Sequence, residues 1–272
     1  MIINLVQKAV GETKPKAPTA SLTPASGVTY TEGLAGLDAE TVSLFCGAIS
    51  NNASINNETG SVYIDYGDEH RKLSIGDQVS LSLNGTNYAF DIIGFNHDNL
   101  TTAAVYGEAT ATGKAGMTLQ MHDLFATNYM MNSSATTSGG WKNSAMRTST
   151  MATMKGYLPD DWEAIIKPVN KASSTGGSSS SGTETVSDSC FLLAEIEIFG
   201  STTYSVSGEG TQYAYYKAGN SKVKNRSGSA AGWWERSPRS GYSSNFCRVR
   251  SAGGASADGA NTSLGVAFAF CV

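Results

Sequence analysis

The sequence predicts an α+β fold: a domain with short helices and a loop-rich, mostly antiparallel sheet, preceded by an extended N-terminal arm. Three observations lead there. Short helical patterns fill the first half of the chain and long-looped strand patterns fill the second. Of the 272 residues, 30 are Gly and only 15% are charged, a balance that suits loop-rich surfaces more than helical bundles. Hydrophobic residues still make up 40%, enough to bury a sizeable core.

Residues 1–36 read as the arm. Met1–Val10 is an apolar run suited to a strand or a packing arm, and residues 11–29 are rich in Pro, Gly, Ser and Thr, as linkers are. The domain then spans 37–272. Asp38 is placed to cap a helix on which Val42, Phe45, Cys46 and Ile49 recur at helical spacing, with a stop near Asn51 and Asn52. Ser61–Tyr66 alternates as a strand does. Asp77–Leu83 and Thr86–Phe95 flank Asn84-Gly85, the pair a type I′ hairpin turn requires because both central residues take positive φ.

Further helices are expected at Met121–Met131, Asn143–Met154 and Trp162–Val169, the last introduced by Pro159-Asp160-Asp161. Residues 172–187, a Gly/Ser-rich stretch, predict a mobile surface loop. Cys190–Phe199 is the most apolar run and predicts a central strand, and Gly265–Val272 alternates as a closing strand.

Composition excludes some classes. A net charge of −4 gives no general attraction to nucleic acid or anionic membranes. No window approaches the ~20 apolar residues of a membrane span. The N-terminus lacks the basic start and long apolar run of a secretory signal, so an extracellular role implies another route, such as release within an assembled particle. Cys46, Cys190, Cys247 and Cys271 match no zinc spacing and read as buried thiols, with a Cys247–Cys271 bridge left open.

An ordered series of motifs carries a resemblance. It runs through Ile75-Gly76-Asp77, Asn84-Gly85-Thr86, Ile92–Asp98, Gly139-Gly140-Trp141, Ser144–Arg147 and Leu158-Pro159. It continues through Phe191–Glu195, Phe199-Gly200, Glu209–Tyr213, Trp233–Pro238, Phe246–Val249 and Gly265–Val272. Over roughly residues 60–272 the chain resembles a domain of unknown function common in phages and prophages of Firmicutes. Its C-terminal region is similar to C-type-lectin-like domains, including the variable proteins of diversity-generating retroelements. The resemblance implies a virion-associated recognition protein of tail-fibre, receptor-binding or decoration type, assembled in the host cytoplasm and acting outside the cell. It implies attachment to other virion proteins through the arm, a trimeric homo-oligomer, and a bacterial surface ligand such as a glycan, teichoic acid or protein.

The residues from 233 to 272 fit such a display. Trp233, Trp234, Arg236, Pro238, Phe246, Cys247 and Val249 read as inward anchors. Between them Glu235, Arg239, Tyr242, Asn245, Arg248, Arg250, Ala252, Ala255, Ala257 and Asp258 are expected to face outward as the ligand-binding set. Their mixture of Tyr, Arg, Asn and small residues is the chemistry of antibody loops. From Lys217 to Arg250 eight cations (Lys217, Lys222, Lys224, Arg226, Arg236, Arg239, Arg248, Arg250) face one acid, Glu235, a patch suited to anionic ligands. Arg236, between anchors, reads as structural.

No metal, cofactor or catalytic residue is expected. His97-Asp98 and His122-Asp123 invite a metal reading, but neighbours on a regular strand point to opposite faces. A calcium site lacks the Glu-Pro-Asn or Trp-Asn-Asp ligands of sugar-binding C-type lectins. Glu195 and Glu197, two apart on the expected strand, point in parallel instead of facing across a cleft as glycosidase acids do. Glu195 reads better as a buried partner of Arg147 or Arg236. The competing readings are a capsid or tail protein that only packs against its neighbours and, more remotely, a carbohydrate-active enzyme.

Overall fold

The computed structural model describes residues 16–101, 111–178 and 182–272. Strands β1 (Thr19–Ser21) and β2 (Thr31–Glu32) precede helix α1 (Ala39–Ser50). Then come β3 (Ser61–Tyr66), β4 (Glu69–Ser74), β5 (Gln78–Leu83), β6 (Thr86–Phe95) and β7 (Met117–Met121). A helical stretch holds α2 (Gly140–Asn143), a π-helical turn at Met146–Thr150, α3 (Met151–Lys155) and α4 (Asp160–Ile165). The hairpin β8 (Val169–Ser174) and β9 (Thr183–Asp188) leads to β10 (Cys190–Phe191), α5 (Glu195–Phe199) and α6 (Ala214–Lys217). The chain closes with β11 (Lys224–Arg226), β12 (Ser229–Ala231), β13 (Trp233–Pro238), β14 (Asn245–Val249), β15 (Ala255–Gly259) and β16 (Ala269–Cys271). Strand outweighs helix, 34% against 17%, and the strands lie in several small sheets, an α+β architecture. None of the described helices is long and apolar enough to cross a membrane.

The central sheet has the order β10-β16-β7-β6-β5, antiparallel throughout, with the C-terminal strand between β10 and β7. Both faces of β16 are buried, so the apolar ending of the sequence is core and not display. Asn84 and Gly85 take φ of 48° and 81°, the left-handed pair that joins β5 to β6 without splaying them. Helix α1 begins where Asp38 accepts the Thr41 amide at 2.7 Å, and it buries Val42, Phe45, Cys46 and Ile49. Its approach to the sheet is set by Gly116, where a Cβ would fall 2.1 Å from the Cys46 carbonyl oxygen. Gly116→Ala is therefore expected to push α1 off the sheet and lower the unfolding free energy by about 1–3 kcal/mol, read by urea denaturation.

Several sequence expectations are corrected. The run expected to be an arm supplies β1 and β2, which flank β3 and β4 in the sheet β1-β3-β4-β2, so residues 19–32 belong to the folded body. Residues 1–15, the apolar start included, lie outside the described residues. Met121–Met131 is not a helix. Its amides bond to the end of the chain instead, Phe125 to the Val266 carbonyl at 2.9 Å and Tyr129 to Leu264 at 2.9 Å. Asn143–Met154 divides into the end of α2, the π-helical turn and α3. The helix expected at Trp162–Val169 ends at Ile165, because Pro168 disfavours helical geometry before it and Val169 opens β8. The Gly/Ser-rich stretch 172–187, expected as a loop, contributes to both strands of the β8–β9 hairpin.

Cys190–Phe199 is a two-residue strand followed by helix α5. There the Glu197 carboxylate reaches back to the Ala194 amide at 2.9 Å, and Gly200, at φ 70°, ends the turn. All four cysteines are free and buried, so Cys247 and Cys271 are not bridged.

Candidate functional site

The C-terminal sheet β13-β14-β15 carries most of the ten residues expected to form the ligand face, and it divides them. Strand β13 is buried on both faces because β14 covers one edge while α2, α5 and β8 pack around it. Glu235 is accordingly fully buried, not displayed, which removes it from the ligand set. Paired positions share a face, so Ala255 and Ala257 lie with Val249 and Cys247, whereas Asp258 lies with Phe246 and Arg248 on the other side. These three residues, with Asn245, are half-buried. Arg248 makes an ion contact with Asp258 at 3.3 Å that lacks hydrogen-bond alignment. Tyr242, Arg250 and Ala252 stand in the turns and are exposed.

The most distinctive surface feature is a stack of half-buried Arg239 and Tyr204 with exposed Tyr242. The Arg239 guanidinium lies 3.6 Å from the Tyr242 ring centroid and 5.4 Å from that of Tyr204. The backbone beneath is fixed: the Arg239 amide donates to the Asn245 carbonyl at 2.8 Å and the Ser240 amide to Tyr204 at 2.7 Å. Tyr204 had not been recognised in the sequence, since the stack depends on a loop remote in the chain.

The expected cationic patch dissolves. Lys224 is buried, donating to the Met121 and His122 carbonyls, and burial pushes its pKa down to about 8. Lys217 pairs with Glu58, and Arg226 bonds Asn128. Arg236 is buried, as expected of a structural Arg.

A second feature was missed altogether: an open cleft of about 630 Å³ between residues 97–99, β8 and the loop 208–211. Its floor is a buried ion network. Lys171 Nζ donates to Asp98 Oδ1 and to Glu197 Oε1, each at 2.7 Å. Arg236 clasps both Glu197 oxygens, one at 2.9 Å, and donates to the Ala172 and Leu192 carbonyls at 3.1 Å. The second Asp98 oxygen accepts from Thr118 at 2.7 Å and Tyr213 at 2.8 Å. Burial alone would raise both carboxyls. The Lys171 charge beside Asp98, and Arg236 and Lys171 beside Glu197, overcome it and hold each below its ordinary value.

His97 and Asp98 do converge here, contrary to the strand argument. Strand β6 ends at Phe95, and Asn96 turns the chain at φ 45° with its amide donating to the Ile49 and Ile55 carbonyls. His97, Asp98 and Glu197 bring ligand atoms within 4.8 Å of one another. The Lys171 ammonium already bridges the two carboxylates, so a metal ion there would have to displace it. His97 stacks on Tyr213 at 3.8 Å, and burial lowers its pKa, which keeps the ring neutral.

Glu195 and Glu197 also behave differently from expectation. Glu195 accepts the Tyr204 and Ser205 amides at 2.9 and 2.7 Å and pairs with neither Arg147 nor Arg236. Arg147 instead binds Asp188 at 2.6 Å, and Glu197 is the partner of Arg236.

Fold and site together define an α+β domain with an ion network beneath a polar cleft and an Arg–Tyr stack at its surface. The chain belongs to the DUF6273 family, a domain of unknown function, whose model matches residues 115–272. No curated protein and no solved structure matches the chain.

Proposed function

We propose that this protein is a virion-associated recognition protein of a phage, non-enzymatic, with a C-type-lectin-like C-terminal region that binds a bacterial surface ligand. The observation that carries the reading is the Tyr204–Arg239–Tyr242 stack. It is a half-buried cation lying over two rings on a bonded backbone, with Tyr242 47% exposed. Such a group meets a phosphate, carboxylate or sugar with little ordering left to do, which favours affinity. Arg250 and Ala252 extend the exposed surface. In this reading the residues before β1 join other virion proteins, and copies assemble as a trimer.

The test is binding of the purified protein to host cells and to teichoic acid. Tyr242→Ala and Arg239→Ala are each expected to weaken binding about tenfold with an unchanged denaturation midpoint, the loss typical of a central aromatic or Arg contact. Unchanged binding by both variants would overturn the reading. If this face proves covered by neighbouring subunits in the particle, the protein packs there and does not recognise a host.

A further inference from the structure

We propose that the cleft over the ion network is a second binding site, for a small, uncharged, hydroxyl-rich molecule of the size of a mono- or disaccharide. The site is separate from the surface Arg–Tyr stack and does not rest on it.

Size sets the first limit. A cleft of about 630 Å³ lies in the range that small-molecule sites occupy, and it is open to solvent along one side. Charge sets the second. Three acids, Asp98, Glu197 and Glu209, line the cleft with two cations, Lys171 and Arg236. Every carboxylate oxygen of Asp98 and Glu197 is bonded. Glu209 accepts from the Ser173 hydroxyl and the Ser174 amide through Oε1, whereas its buried Oε2 has no hydrogen-bond partner among the described residues. A charged ligand reaching this floor would compete for a bond already made at 2.7 Å, in a place where an unpaired buried charge is severely penalised. At the rim, the Lys114 ammonium is held by the His97 carbonyl at 3.1 Å and by Asn99 at 2.9 Å. The Asp98–Lys171–Glu197–Arg236 floor is thus rigid, a support and not an ionic receptor, and the acceptor left over beside it, Glu209 Oε2, suits a hydroxyl donor.

The rim groups with spare capacity have the other chemistry. Thr185 and Thr211 line the cleft with exposed side chains that make no hydrogen bond among the described residues. Among the described residues, Asn99 uses only its side-chain carbonyl oxygen, toward Lys114, and Asn170 only its side-chain amide nitrogen, toward the Leu100 carbonyl. That leaves one amide donor and one carbonyl acceptor. His97 spends Nδ1 on Asn57 and keeps Nε2 in reserve, on a ring clamped flat against Tyr213. Hydroxyl groups both donate and accept, and they match a ring of hydroxyls, amides and a neutral imidazole better than any ion does.

Isothermal titration and saturation-transfer NMR on the full chain decide it, with glucose and N-acetylglucosamine as neutral probes and glucuronate and glucosamine as charged counterparts. A neutral sugar is expected to bind, and the double variant Asn99→Ala/Thr211→Val to weaken it at least tenfold with the denaturation midpoint unchanged. Thr185→Val serves as a second cleft variant with the same expected direction. Tyr242→Ala is expected to leave this binding intact, which separates it from loss of cell attachment. The proposal is overturned if neither neutral sugar binds, if glucuronate or glucosamine binds more tightly, or if binding survives the cleft variants.

Discussion

Arg236→Met is expected to lower the unfolding free energy by about 3–5 kcal/mol, the penalty for removing one member of a buried ion pair while the other stays behind. The guanidinium is fully buried and ties four places together: Glu197 on α5, the Ala172 carbonyl on β8, Leu192 beside β10 and the Glu209 carbonyl. Without it, Asp98 and Glu197 share Lys171 alone, and three carbonyls lose the guanidinium donor. Urea denaturation followed by tryptophan fluorescence gives the loss, and a loss below 1 kcal/mol would contradict this account of the network. Glu197→Gln in the Arg236→Met background should recover part of the deficit, because it removes the charge left unpaired, and that coupling is the signature of direct interaction. The pH dependence has a defined sign. Asp98 and Glu197 titrate below their ordinary values in the fold, so they stabilise it above the usual carboxylate pKa near 4. That contribution fades as the pH falls toward their lowered folded values. In Arg236→Met the Glu197 part of this low-pH slope should shrink.

What the sequence disclosed about this site divides along a physical line. Local signals were legible: the Asp38 cap, the Asn84-Gly85 turn and the alternation of Ser61–Tyr66 depend on neighbours in the chain, and the structure has each of them. Elements whose backbone partners are distant were misread. Met121–Met131 has helical spacing, yet its amides are claimed by Val266 and Leu264, more than a hundred residues away. Cys190–Phe199 is apolar enough for a strand, yet Glu197 caps the turn that makes its second half a helix. The ion network unites residues 98, 171, 197 and 236, whose spacing has no periodic signature. The one available hint was composition: Glu197 stands in an apolar run, where a charge needs a partner. For the C-terminal face, alternation identified anchors but assumed that one side of β13 met solvent. A strand covered on both faces breaks that assumption, and Glu235 is the residue it misplaced.

Glu235 consequently gives the second large expectation: Glu235→Leu should stabilise the protein by about 2 kcal/mol or more at pH 7, the scale of relieving a buried polar group without partners. Both carboxyl oxygens are buried and have no hydrogen-bond partner among the described residues. Burial, and next the nearby Glu195 and Glu209 charges, push its pKa well above the ordinary glutamate value. A carboxyl with a raised folded pKa binds its proton more tightly in the native state than in the unfolded chain. Its effect on stability is nil below the unfolded pKa of about 4.3, then increasingly unfavourable as the pH rises toward the folded value. Stability curves of the wild type and Glu235→Leu, taken from pH 4 to 9, should lie closest at the acid end, where only the cost of the unbonded neutral carboxyl separates them, and diverge upward in favour of the variant. Taking the difference cancels titrations uncoupled to Glu235, that of His97 included, while the coupled Glu209 contributes to the difference in the same direction. Glu235→Gln, which removes the charge but keeps the polar burial, should flatten the same slope with a smaller gain. Parallel curves, or a variant less stable at pH 7 than at pH 4 relative to wild type, would show that Glu235 has a partner or reaches water. Cell binding by Glu235→Leu should match the wild type, since a side chain enclosed by β14, α5 and β8 cannot touch a ligand.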